Sequence, residues 1–270
     1  MTDAEGVAAQ PLSAVCVEID GSVAVVTLSR PEKANAMDGE MTYALLAAIR
    51  SLRDMRDVHA IVLTGTGTAF SAGGDVETIR TMRDDPAVRA AVLNAHKELF
   101  WAMTNLPIPA IAAVNGAAVG AGVTIALLCD MIVMAEEAFL RDPRVPLGLL
   151  DGAGGYVLWP LLTSLSAAKE HLLLGTKVTG REAHRLGLAN RVVPASEVVG
   201  ESLHLARRLA ELPPGAVRQS RRLLNSHIER AATILDDCAQ AEFECFDSKE
   251  HHALLEELII RVAAPTEKKS

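Results

Sequence analysis

Apolar and polar positions in the first half of this chain fall into short runs separated by turn residues. Val15 to Ile19 and Val23 to Leu28 read as two strands joined at Asp20-Gly21, a hairpin signal. Behind Asp38, whose carboxylate suits a helix N-cap, Met41, Leu45, Ile49 and Leu52 recur on one helical face. Ala60 to Thr64, Ala110 to Val114 and Met131 to Met134 are apolar runs of strand length, each followed by a glycine-rich turn or a helix. This alternation predicts an α/β fold whose turns and helix starts present backbone at one edge of the strands.

From about Ser164 the period becomes helical. The spacing predicts helices over Ala167 to Leu174, Arg181 to Leu186, Val198 to Leu212, Val217 to Arg230, Ile234 to Phe246 and Leu254 to Val262. In the last of these, Leu254, Leu255, Leu258, Ile259 and Val262 make a stripe larger than one surface helix needs. That excess predicts packing on the core or on a neighbouring subunit. The chain therefore divides into an N-terminal tail at 1–12, a core at 13–195, a helical region at 196–264 and a short tail at 265–270.

Composition narrows the functional classes. Half of the 270 residues are hydrophobic but only 3% are aromatic, so the core is aliphatic and stacking rings for single-stranded nucleic acid are scarce. A net charge of -8 also opposes a nucleic-acid partner, although local backbone dipoles still allow an anionic ligand. No charge occurs from Leu99 to Cys129, longer than the roughly 20 residues of a membrane helix. Pro107, Pro109, Asn115-Gly116, Gly120 and Gly122 break that stretch, so no membrane span is expected. Cys16, Cys129, Cys238 and Cys245 lack the pairing of a zinc or redox motif, which predicts reduced thiols, no metal and a cytoplasmic protein. The first twelve residues do not read as a signal peptide.

Two glycine-rich turns carry the candidate chemistry. Phe70-Ser71-Ala72-Gly73-Gly74-Asp75-Val76 and Val114-Asn115-Gly116-Ala117-Ala118-Val119-Gly120-Ala121-Gly122 each lie between a strand and a helix. Small residues there let a ligand approach backbone N–H groups, and tight packing between backbones accounts for such turns equally well.

The order of motifs decides more than either turn alone. Arg30-Pro31, Ala34-Asn35-Ala36-Met37, Ala72-Gly73-Gly74-Asp75, Ala110 to Gly122, Leu128-Cys129-Asp130, Pro143, Gly148-Leu149, Gly152-Ala153-Gly154-Gly155 and Gly187 to Val193 follow one another along the chain. In this set the chain resembles the enoyl-CoA hydratase/isomerase (crotonase) superfamily from Val15 to about Val262. The resemblance implies a spiral of ββα units with C-terminal helices that support a homotrimer or a dimer of trimers. It also implies an acyl-CoA substrate, with coenzyme A as part of that substrate and no separate cofactor. The backbone N–H groups of Gly74 and Ala121 would form an oxyanion hole. Coenzyme A would lie along Lys33, Ala34 and Ala36 and the turn Ala72, Gly73, Gly74, Asp75 and Val76. Lys33 reads equally as a phosphate contact or a solvated charge, and Asp75 as a helix cap.

One departure from the family pattern bears on the reaction. Thr124 and Arg144 stand where the hydratases of the superfamily carry two glutamates. A hydroxyl is no base near neutral pH and a guanidinium stays protonated, so neither replaces a carboxylate. Asp142 and Asp151 are the nearest carboxylates in sequence and become the candidate acid–base groups. His96, His171, His184, His204 and His227 fall in helical runs, where packing or surface roles are expected. Glu244 and Glu250 are candidates to approach a neighbouring site in a trimer. Thr81 to Arg89 and Leu254 to Val262 are expected pocket walls. The expected activity is thioester chemistry by a lyase, isomerase or C–C bond hydrolase, and the competing one is acyl-CoA binding without turnover.

Overall fold

The computed structural model describes residues 14–263, so the two tails expected at 1–12 and 265–270 lie outside it. The chain opens with β1 (Val15–Asp20) and β2 (Val23–Leu28), then α1 (Gly39–Arg53), β3 (Ala60–Gly65), β4 (Ala69–Ser71), α2 (Val76–Asp84) and α3 (Pro86–Thr104). β5 (Ala110–Val114), β6 (Ala117–Val119), α4 (Ala121–Leu127), β7 (Met131–Ala135) and β8 (Phe139–Arg141) continue the strand-rich part. After α5 (Gly155–Leu162) and α6 (Leu165–Leu174) come β9 (Val178–Thr179), α7 (Gly180–Leu186) and β10 (Arg191–Val193). Helices α8 (Val198–Ala210), α9 (Pro214–Ala231), α10 (Leu235–Cys245) and α11 (Lys249–Ala263) close the chain.

The strands form two sheets, one ordered β1-β2-β3-β5-β7-β10 and one ordered β4-β6-β8-β9. β1 and β2 make the expected antiparallel hairpin, with Asp20 opposite Val23, and the remaining pairs of the larger sheet are parallel. Every residue of β3 and β5 is buried, as parallel strands covered on both faces require. The sequence reading contains the larger sheet except β10, and none of the smaller. β4, β6 and β8 have three residues each and β9 two, too few to show a period, and parallel pairing with distant strands holds β4, β6 and β8 in place. Part of what reads as a glycine turn is therefore strand.

Asp38 caps α1 by accepting from the Met41 N–H at 2.8 Å. α8 packs directly across β3, β5 and β7, and its Val198, Leu205 and Ala206 belong to the main core. Arg221 of α9 is buried and ties the helical part to the sheet part. It donates to the carbonyls of Met103, Thr104 and Leu106 at the end of α3, and to Asp130 Oδ2 at 2.8 Å.

Candidate active site

The loop before α1 is pinned from both sides. Asn35, in the left-handed region at φ 56, donates through Nδ2 to the carbonyls of Thr66 and Ala69 at 2.9 Å each, and its Oδ1 accepts from the Arg30 N–H at 2.9 Å. Arg30 bonds the Ala36 carbonyl and pairs with Asp38 at 2.6 Å. Backbone bonds from Ala72 to Ala34, from Met37 to Gly73 and from Asp75 to Met37 join this loop to the first glycine turn.

The second turn is pressed against the first. Gly73 has φ +84, and a Cβ there would lie 2.5 Å from the Val119 carbonyl oxygen; one on Gly122 would lie 2.8 Å from Ser71. Asp75 caps α2, its Oδ1 accepting from the N–H groups of Glu77 and Thr78 at 3.1 Å each. Ala121 is the first residue of α4, and its N–H, like that of Gly74, donates to no acceptor among the described residues.

These pieces border one cavity of about 1020 Å³. Lys33, Ala34, Ala36, Ala72, Gly73, Gly74, Asp75, Val76 and Ala121 all line it. Leu254, Leu258, Ile259 and Val262 of α11 supply an apolar wall, whereas of Thr81 to Arg89 only Met82 reaches the cavity. The α11 stripe thus faces the cavity, and Leu255, the most buried of its residues, lines it as well.

Behind that surface lies a polar cluster. Thr124 donates from Oγ1 to Asp151 Oδ2 at 3.1 Å. Arg144, which lines the cavity, donates to Asp142 Oδ1 at 2.9 Å, to Asp142 Oδ2 at 2.8 Å and to Asp151 Oδ1 at 2.5 Å. Asp151 also accepts from the N–H groups of Ala153 and Gly155, at 2.7 Å each. Burial works against the Arg144 charge, but the two aspartates outweigh it and hold the guanidinium firmly protonated.

This geometry corrects the expectation for Asp142 and Asp151. Neither borders the cavity, they are 4% and 1% exposed, and every oxygen already accepts a hydrogen bond. Arg144 draws both behind the wall. Glu244 and Glu250 are exposed and do not line the cavity.

Two cavity-lining groups escape the sequence reading. His96 of α3, expected to pack or face solvent, lines the cavity beside Val92 one turn earlier. Burial first, and then the Arg144 charge, push its pKa down to about 4. Glu242 of α10 lines it beside Phe246 one turn later, and its Oε2 accepts from the Gly152 N–H at 2.8 Å. The spacing Glu242 to Phe246 was the available signal, since a carboxyl one turn from an aromatic core residue shares its buried face. Among the described residues no cluster of His, Cys, Asp and Glu is arranged to hold a metal, and no helix is long and apolar enough to cross a membrane.

Strand–turn–helix units that bring two backbone N–H groups, without an acceptor among the described residues, to one cavity define an α/β protein of this architecture. Residues 18–260 match the family model for enoyl-CoA hydratase/isomerase. The short-chain-enoyl-CoA hydratase of Clostridium acetobutylicum is 31% identical over 241 residues, 88% of this chain and 92% of that protein. A crystal structure of an enoyl-CoA hydratase/isomerase from Mycobacterium paratuberculosis superimposes with TM-score 0.87 at 36% identity, covering 91% of this chain and 98% of that one. A monofunctional enoyl CoA isomerase from M. smegmatis superimposes with TM-score 0.69 at 30% identity, over 82% and 97% of the two chains. The chain belongs to the enoyl-CoA hydratase/isomerase family and is an enzyme of it.

Proposed function

We propose that the cavity receives an acyl-CoA thioester and that the N–H groups of Gly74 and Ala121 hold its carbonyl oxygen as the enolate forms. Coenzyme A, which is part of the substrate, lies along Lys33 to Ala36 and Ala72 to Val76. The observation that carries this reading is the pair of cavity-lining N–H groups with no acceptor among the described residues. Such donors are pre-aimed at developing charge, and losing one costs on the order of 10²–10³ in rate. Two-glutamate hydration is not supported. Thr124 and Arg144 occupy those positions and are tied to Asp151 and Asp142, so none of the four is free to take a proton from water.

The test is thermal unfolding with ligand, because a molecule held only by the folded state raises the midpoint by mass action. An acyl-CoA should raise it and the matching free acid should not; equal shifts would contradict the reading. Crotonyl-CoA hydration should be slower than in a two-glutamate enzyme by about 10²–10⁴ for each missing group.

A further inference from the structure

The helix that walls the cavity is lightly held. Leu254, Leu255, Leu258, Ile259 and Val262 of α11 border the cavity, yet among the described residues of that helix only His251 and Leu255 are buried, each 1% exposed. Arg83 of α2 pairs with Glu256, but the Glu256 side chain is more than half exposed, and such pairs contribute little. His251 is therefore the one buried polar side chain that fastens α11 to the rest of the molecule among the described residues.

Its Nδ1 lies 2.8 Å from the carbonyl oxygen of Leu147, in the 3-10 turn Val145–Leu147 whose Pro146 and Leu147 line the cavity. A carbonyl only accepts, so Nδ1 carries the hydrogen and Nε2 is the bare nitrogen of a neutral ring. Nε2 is itself buried and meets no hydrogen-bond partner among the described residues. Gly148, at φ +71, presses so close that a Cβ there would lie 3.0 Å from the His251 backbone, and Phe246 packs edge-on with ring centroids 5.0 Å apart. This slot accepts an imidazole and has no place for an imidazolium.

We propose that His251 is an acid-sensitive latch: its neutral ring fastens α11 to the Val145–Leu147 turn, and a proton on Nε2 releases the helix and opens the apolar wall of the cavity. A charged N–H at that atom has no acceptor to point at, whereas on the released helix it meets water. The surrounding charges oppose it as well. Arg83 faces the ring from α2, Arg89 from α3, and His252 adjoins it on α11. Their counter-ions are already engaged: Asp84 and Glu256 pair with Arg83, and Asp247, between α10 and α11, pairs with Arg89. Lys249 and Glu250 are exposed at the start of α11, and Arg144, before the turn, is held by Asp142 and Asp151. Burial first, then His252 and the two arginines, hold the His251 pKa below the ordinary histidine value against the pull of the Leu147 hydrogen bond. The closed state thus refuses a proton that the released state takes up below about pH 6.5, so the latch holds at neutral pH and weakens as pH falls.

Hydrogen–deuterium exchange of the full-length protein reads the latch directly. Between about pH 7.5 and 5.5, after correction for intrinsic exchange rates, protection of the α11 amides should fall by up to about tenfold, because each pH unit below about 6.5 weights the released state by up to that factor. His251→Asn keeps an N–H donor where Nδ1 stands and does not titrate, so its α11 protection should stay level. His252→Asn should respond as wild type does. Level protection in wild type, an equal fall in His251→Asn, or a fall abolished by His252→Asn would each overturn the proposal. A second arm rests on the acyl-CoA reading of the cavity. Hexanoyl-CoA should lose affinity for wild type relative to His251→Asn over the same window, a ratio from which the ligand's own titration cancels. A constant ratio alongside a fall in α11 protection would show that the helix moves without opening the cavity, and would overturn that half of the proposal. Absence of hexanoyl-CoA binding to either protein at neutral pH would sink the acyl-CoA reading, with the exchange result still deciding the latch.

Discussion

Gly73 and Val119 meet backbone to backbone, with room for a hydrogen on Gly73 and no room for a methyl group. Gly73→Ala should therefore fail twice, by clash with the Val119 carbonyl and by forcing a side chain into φ +84, a conformation that alone costs about 1–3 kcal/mol. Urea unfolding should show at least that loss. The surviving folded protein should bind acyl-CoA more weakly, because the two turns can no longer close on one another. Unchanged stability would mean that the turns separate easily.

Arg144 neutralises two buried carboxylates at once, so removing it leaves both uncompensated. Arg144→Met should destabilise the fold by about 3–5 kcal/mol in chemical denaturation. The same bonds bear on engineering a hydratase. Thr124→Glu with Arg144→Glu adds carboxylates beside Asp142 and Asp151 while deleting the one guanidinium that pairs with them among the described residues, so the double variant should unfold or aggregate and should not gain hydratase activity. A soluble, faster hydratase would refute this account of the cluster.

His96 gives a pH signature. Its folded pKa, about 4, lies below the unfolded value near 6.5. As pH falls from about 6.5 toward 4 the unfolded chain takes up a proton that the folded chain refuses, so the native state loses stability over that window. His96→Gln removes this term. The variant's melting temperature relative to wild type should climb as pH drops through the window, and a constant difference would place His96 in a solvated setting.

Leu161, Leu162, Leu165, Leu173 and Leu174 of α5 and α6, and Leu223 and Leu224 of α9, are exposed. Apolar area of that extent is the kind that subunit contacts cover. We expect three or six chains per particle in light scattering at micromolar concentration. A monomer would contradict the homotrimer or dimer of trimers.

The parts of this fold that were legible in the sequence are those in which local pattern and tertiary demand coincide. The β1–β2 hairpin carries its turn at Asp20-Gly21, and Asp38 and Asp75 each stand one residue before a helix they cap. The smaller sheet was hidden because strands of two or three residues exist only through partners far away in the chain. At the site, residue types could not reveal direction. Asp142 and Asp151 had the right chemistry, but Arg144 turns them away from the cavity. Glu242 had the right direction, but the chain folds it into place from a helix more than a hundred residues beyond the glycine turns.

The anchoring of α3 by Arg221 has a consequence for synthesis on the ribosome. The carbonyls of Met103, Thr104 and Leu106 find their guanidinium 118, 117 and 115 residues later in the chain. At about 5–20 residues per second, translation leaves a delay on the order of ten seconds. During that interval the carbonyls of Thr104 and Leu106 lack the α9 donors and are left to water, and β3, β5 and β7 still lack α8 for the first part of it. The emerging chain is thus an open, aliphatic sheet awaiting its last third, and premature termination before Arg221 would leave a fragment suited to aggregation or chaperone capture.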